Sequence, residues 1–113
     1  MGGDPPPLEQ LHSRDTTMKP SQALALKRNA VREAAGRFRA ANVRVFGSVL
    51  HGTDREDSDL DLLVDTLPGV TLFDLGSLQI ELEELLGVQV DLLTPGDLPP
   101  TFRQLVLSEA RPI

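Results

Sequence analysis

Val43-Arg44-Val45-Phe46-Gly47-Ser48 and, after ten further residues, Asp59-Leu60-Asp61-Leu62-Leu63-Val64 form the stretch on which the fold turns. Its first half is an apolar run closed by a Gly-Ser pair, which predicts a strand over 43–46 ending in a turn. Its second half predicts a strand over 59–65. Side chains i and i+2 share one face of a strand, so Asp59 and Asp61 project together while Leu60, Leu62 and Val64 face the interior. Two neighbouring carboxylates repel unless a cation lies between them. The Gly-Ser turn offers main-chain N–H groups and a hydroxyl to an anion. The two elements together predict a site for a divalent cation and a polyphosphate.

Working outward, Leu24, Ala30, Val31, Ala34, Ala35 and Phe38 recur at helical spacing and predict a helix over 21–41 with Ser21 as N-cap. Residues 52–58 read as a polar loop, in which Asp54, Glu56 and Asp57 are hydrated and His51 is a solvated neighbour. Pro68-Gly69 makes a turn, and Thr71-Leu72-Phe73-Asp74 reads as a capping box. The helix it opens carries a core stripe of Leu75, Leu78, Leu82 and Leu85 and stops at Gly87. A third strand alternates over 88–93, Thr94-Pro95-Gly96 breaks it, and Pro99-Pro100 opens a last short helix through Leu105, Val106 and Ala110. This order predicts an α/β (α+β) domain, a small sheet with helices packed against it.

Asp91 extends the acidic pattern. Val88, Val90 and Leu92 take one side of the third strand and leave Asp91 on the other, the side of Asp59 and Asp61 if the faces align. Three carboxylates without cysteine suit a hard cation, Mg²⁺ or Mn²⁺, rather than Zn²⁺. Asp65 falls on the same face but at the strand end, where it reads as a loop residue.

These residues resemble a known family. Gly47-Ser48, the ten-residue gap, Ser58-Asp59-Leu60-Asp61 and the later Asp91 are similar to the motif of the nucleotidyltransferase superfamily that includes DNA polymerase β. The short chain resembles its minimal members, the MNT domains, over about residues 20–113. The resemblance implies the small mixed sheet of the polymerase β-like fold. It also implies that Gly47 and Ser48 hold the phosphates of a nucleoside triphosphate, ATP, and that Asp59, Asp61 and Asp91 are catalytic and ligate Mg²⁺. One departure is Leu50-His51 before Gly52, where members often carry Ala-Arg; His51 offers a phosphate a cation only when protonated.

The chain has 113 residues, 40% of them hydrophobic, which is one domain with a modest core. It has no cysteine, hence no disulfide or thiolate metal site. No apolar stretch reaches the ~20 residues of a membrane span, and no signal peptide is apparent, so a cytoplasmic location is expected. Residues 1–44 hold eight Lys/Arg against four Asp/Glu, and residues 45–113 hold three against thirteen. The basic positions Lys27, Arg28, Arg32, Arg37, Arg39 and Arg44 form a solvated helix face, and Arg28, Arg32 and Arg39 a candidate docking surface. With four Phe and neither Trp nor Tyr, direct binding of single-stranded nucleic acid is not expected.

Two functions compete, ahead of a third, a drug-modifying nucleotidyltransferase, which normally needs more chain than this. One is an enzyme moving AMP from ATP onto a hydroxyl of a partner protein; the resemblance implies a HEPN-type toxin encoded nearby, with the chain as its antitoxin in a hetero-oligomer. The other is a catalytically inactive module that neutralises the partner by docking alone. Residues 1–17 concentrate Pro and Gly without periodicity and read as a flexible leader to a domain over 18–113, with Met18 a second candidate start and His12 without a role. A chain beginning at Met18 is expected to keep its melting temperature within about 2–3 °C; a larger fall in a thermal denaturation scan places the boundary elsewhere.

Overall fold

The computed structural model describes residues 18–113, and the expected leader over 1–17 lies outside the described residues. Helix α1 (Pro20–Arg37) leads into strand β1 (Ala40–Phe46), a one-turn helix α2 (Gly47–His51) and strand β2 (Leu60–Thr66). Helix α3 (Leu72–Leu86), strand β3 (Val90–Leu93), a 3-10 turn (Pro95–Asp97), helix α4 (Pro100–Glu109) and a two-residue strand β4 (Arg111–Pro112) complete the chain. The sheet runs β3-β2-β1-β4. Strand β1 is antiparallel to both β2 and β4, whereas β2 and β3 are parallel. The result is the mixed sheet with packed helices that the pattern predicts.

One face of the sheet carries the main core. Leu60, Leu62 and Val64 are fully buried there with Val31 and Ala34 of α1 and Leu78 and Leu82 of α3. The predicted stripe holds, with Leu86 buried and Leu75 and Leu85 partly so. The capping box of α3 is present: the Asp74 N–H donates to Thr71 Oγ1 at 3.3 Å and the Thr71 N–H to Asp74 Oδ2 at 2.9 Å. Gly87 ends the helix in the left-handed conformation, φ 72°.

Helix α1 differs at both ends from its predicted bounds. Lys19, not Ser21, is its cap residue, with Pro20 in the first turn, where its missing N–H is not needed. The helix stops at Arg37 and strand β1 begins at Ala40, with Arg39 between them at a positive φ of 61°; Asn42, inside the strand, is also left-handed at 54°. Arg39 is held there by its guanidinium donating to the Pro68 carbonyl at 2.7 Å and by the Leu67 N–H donating to its own carbonyl at 3.1 Å. Arg39 therefore lies beyond the helix, and the single helical side expected for Arg28, Arg32 and Arg39 does not form. Arg32 instead donates to the main-chain oxygen of Ile113, and Arg37 pairs with Glu81.

The early start of β1 was hidden by a bulge. Ala40 and Val43 both meet the core though they are three residues apart, which regular alternation forbids. The register slips by one residue between Ala41 and Arg44, around left-handed Asn42, and so restores the inward face to Val43 and Val45. Strand β4, too short to show a period, is seated by the Ile113 N–H donating to the Val43 carbonyl at 3.2 Å.

Exposed apolar residues share the helices with the core. Leu78 is fully buried in α3, whereas Phe73 in its first turn is 88% exposed. Leu78→Ala is expected to lower the urea-unfolding free energy by about 2–5 kcal/mol, and Phe73→Ala to change it by no more than about 0.5 kcal/mol.

Candidate active site

Strand β2 delivers the acidic pair. Asp61 stands opposite Phe46, the last residue of β1, on one side and opposite Asp91 of β3 on the other. Cross-strand partners on one rung share a face, so Asp61 and Asp91 project together, as predicted from the alternation around each. Asp59 precedes the first rung of β2, Leu60–Val90, and is exposed.

Gly47 and Ser48 do not end in a simple turn; they begin the one-turn helix α2, which closes at left-handed Gly52. Gly47 has φ 72°, open to a residue without Cβ. A Cβ at this position would overlap Asp61 Oδ2 and lie 3.1 Å from Asp61 Cγ. Glycine is thus what lets the Asp61 carboxylate lie directly against the turn. The start of α2 and the acidic strand form one site, with main-chain donors and carboxylates at its two sides.

Asp61 is half-buried, and its burial, followed by the charges of Asp91 and then Asp59, pushes its carboxyl up to about 6. Asp61 thus lies close enough to Asp91 and Asp59 to feel both charges. Among the described residues, no three acidic or imidazole side chains close into a cage for a metal ion. The donor set nevertheless fits a hard cation: all oxygen, with a central carboxylate whose charge is unfavourable without a counter-ion.

The remaining acidic residues have other partners. Asp65 lies within β2, not in a loop, and accepts from Arg44 at 2.7 Å and from Asn42 Nδ2 at 3.0 Å. The Arg44 side chain is only 14% exposed, so a nearly buried cation claims Asp65. Leu63, between Asp61 and Asp65 on the same face, is fully buried where the Pro95–Asp97 turn packs on β2. Arg103 of α4 secures that turn by donating to the carbonyls of Pro95 at 3.0 Å and Leu98 at 2.9 Å. His51 belongs to α2, not a loop, and its Nε2 lies 3.4 Å from Glu109 Oε2.

Asp54 departs furthest from its sequence reading. It is buried, 7% exposed, not hydrated, and accepts the Ser21 N–H at 2.9 Å. No local signal marks it, because its partner lies 33 residues away.

Residues 27–113 match the family described as nucleotidyltransferase domain. Protein adenylyltransferase MntA of Thermococcus cleftensis is 38% identical over 78 residues, 69% of this chain and 79% of that protein. A protein of Methanocaldococcus jannaschii, whose name proposes the same activity, is 42% identical over 66 residues, 58% of this chain and 71% of its own. A solved structure described as a proposed minimal nucleotidyltransferase superposes with a TM-score of 0.74 at 48% identity, over 82% of this chain and 95% of that one. A crystal structure of a toxin-antitoxin with AMP-PNP superposes with a TM-score of 0.64 over 74% of this chain and 69% of that one; at 21% identity it shares the fold. Among the described residues, no helix is long and apolar enough to cross a membrane.

The raised Asp61 carboxyl has a consequence for stability. Between about pH 4, where an unfolded aspartate ionises, and pH 6, the native chain holds a proton at Asp61 that the unfolded chain has released. Stability therefore falls as pH rises through that window and levels off above it. Measured in chelator, Asp61→Asn is expected to be more stable than the unchanged chain at pH 7 by about 1 kcal/mol, after screening at a half-exposed site is allowed for. The gain should vanish below pH 4; coincident unfolding curves at pH 7 contradict the assignment.

Proposed function

This chain belongs to the nucleotidyltransferase domain family, and on that premise we propose that it transfers AMP from ATP onto a hydroxyl of a partner protein. The observation that carries the reading is the packing of Asp61 against Gly47, with Asp91 paired to Asp61 on the neighbouring strand. This packing supports a single site in which the turn would hold phosphate and the strand face a cation. In this reading Gly47 and Ser48 hold the β- and γ-phosphates through main-chain N–H groups and the Ser48 hydroxyl. Asp59, Asp61 and Asp91 are the catalytic carboxylates that hold Mg²⁺. The cation, when bound, supplies charge neutralisation to the phosphates and lowers the pKa of an attacking hydroxyl.

The part played by the chain's own residues is positioning. Asp61 is backed by Leu60 and Leu62 in the core and stopped by Gly47 in front, so its carboxylate has little room to move. Asp91, on the exposed outer side of the same face, is where an acceptor hydroxyl approaches and gives up its proton. The bond formed joins the acceptor oxygen to the α-phosphorus; the bond broken is that to the β-phosphate bridge, and pyrophosphate leaves.

The acceptor is the finer part of the proposal. Relatives named protein adenylyltransferase support a protein acceptor, and a toxin-antitoxin assembly of the same fold supports a toxin as that protein. We take the partner to be a HEPN-type toxin in the cytoplasm, bound as a hetero-oligomer. Co-expression with the neighbouring gene product, followed by intact-mass spectrometry, tests this. The partner is expected to gain the mass of one AMP residue or a multiple of it, and to gain none when Asp59→Asn and Asp61→Asn are combined. Neutralisation by the double variant equal to that by the unchanged chain, with no mass change in either case, identifies a docking module.

A further inference from the structure

We propose that Asp54 is a positioning residue for the site, the single anchor through which helix α1 sets the loop joining Gly47-Ser48 to Asp59. The proposal rests on the site reading given above. Asp54 is the only buried charged residue among the described residues. Burying a carboxylate is unfavourable unless it is hydrogen-bonded. Its Oδ2 meets that requirement by accepting the Ser21 N–H at 2.9 Å, in the first turn of α1, where the helix dipole favours negative charge.

On either side of Asp54 the loop is tied to one half of the site. Thr53 donates its N–H to the Ser48 carbonyl at 2.9 Å and its hydroxyl to the same oxygen at 3.4 Å. Ser58 Oγ accepts the Arg55 N–H at 2.8 Å, and the Ser58 N–H donates to the Arg55 carbonyl at 3.0 Å, immediately before Asp59. Both sets of bonds lie within the loop or reach α2; the bond to Ser21 is the one that reaches the helical layer. Asp59 stands before the first rung of β2; the Leu60 N–H donating to the Gln89 carbonyl at 2.8 Å fixes the backbone on its far side, and the loop fixes it on the near side. Glu56 and Asp57, in the same loop, are exposed and take no part.

A plain helix cap would look alike in a stability measurement, so the test reads the site itself. Asp54→Ala and Asp54→Asn are compared with the unchanged full chain by amide hydrogen exchange without ligand and by calorimetric titration with Mg²⁺ and AMP-PNP. In Asp54→Ala, exchange is expected to quicken over 53–60 as well as in the first turn of α1. Binding is expected to weaken about 10–100-fold, the range for groups that orient metal ligands. Asp54→Asn keeps an oxygen for the Ser21 N–H and should restore most of both. Should Asp54→Ala not fold, Asp54→Glu, which pushes the loop outward by one methylene, replaces it with the same expected pattern. Faster exchange confined to the first turn of α1, with 53–60 unchanged, overturns the proposal and leaves a helix cap. If the unchanged chain binds no Mg²⁺–AMP-PNP, the nucleotidyl-transfer reading fails, and the exchange pattern alone decides the anchor.

Discussion

The Asp61 carboxylate lies against a glycine with φ 72°, and this contact constrains both strands that meet there. A side chain at position 47 would be strained by the left-handed backbone and would collide with the carboxylate as well. Strand β1 must therefore end where β2 begins, and the one-turn helix must leave at once from their junction. The antiparallel pairing of Phe46 with Asp61 gives the same geometry from the ladder side. Once these two residues are opposed, parallel pairing of β3 brings Asp91 beside them without any further device.

The sheet divides its labour by face. The inner face is continuous aliphatic packing under α1 and α3, which supplies the stability. The outer face is acidic at its end near α2 and is closed at the other end by Leu63, the Pro95–Asp97 turn and the Arg44–Asp65 pair. The repulsion that Asp61 feels from Asp91 and Asp59 is confined to the open part. The native state carries this unfavourable cluster because a well-packed inner face offsets it.

What the sequence made legible was local. Strand, turn and strand followed from alternation around Gly47-Ser48 and Asp59-Leu60-Asp61; helix α3 followed from a capping box and a leucine stripe; the outward side of Asp91 followed from Val90 and Leu92. The features that escaped depend on distant partners. The bulge at Asn42 breaks the very alternation by which a strand is recognised. Strand β4 is too short to carry a period and exists only beside β1. Asp54 in Thr53-Asp54-Arg55-Glu56-Asp57 looks like its solvated neighbours until the first helix is folded over it. Arg39 fits a helical period but sits past the end of α1, because its side chain reaches Pro68.

The bulge also bears on how chain length in this domain can vary. Between Ala41 and Arg44 strand β1 has one residue in excess over β2, and left-handed, exposed Asn42 is the one that takes no inward or outward place in the alternation. Removing it would leave Ala40 and Val43 on the inner side and Ala41 and Arg44 on the outer, as regular alternation requires. From Val43 to Phe46 there is no such surplus: a residue lost or gained there would turn the remaining side chains over and carry Gly47 away from the aspartate. Homologous chains can accordingly differ by one residue at the bulge and keep the site, while the segment between bulge and glycine is held to a fixed count.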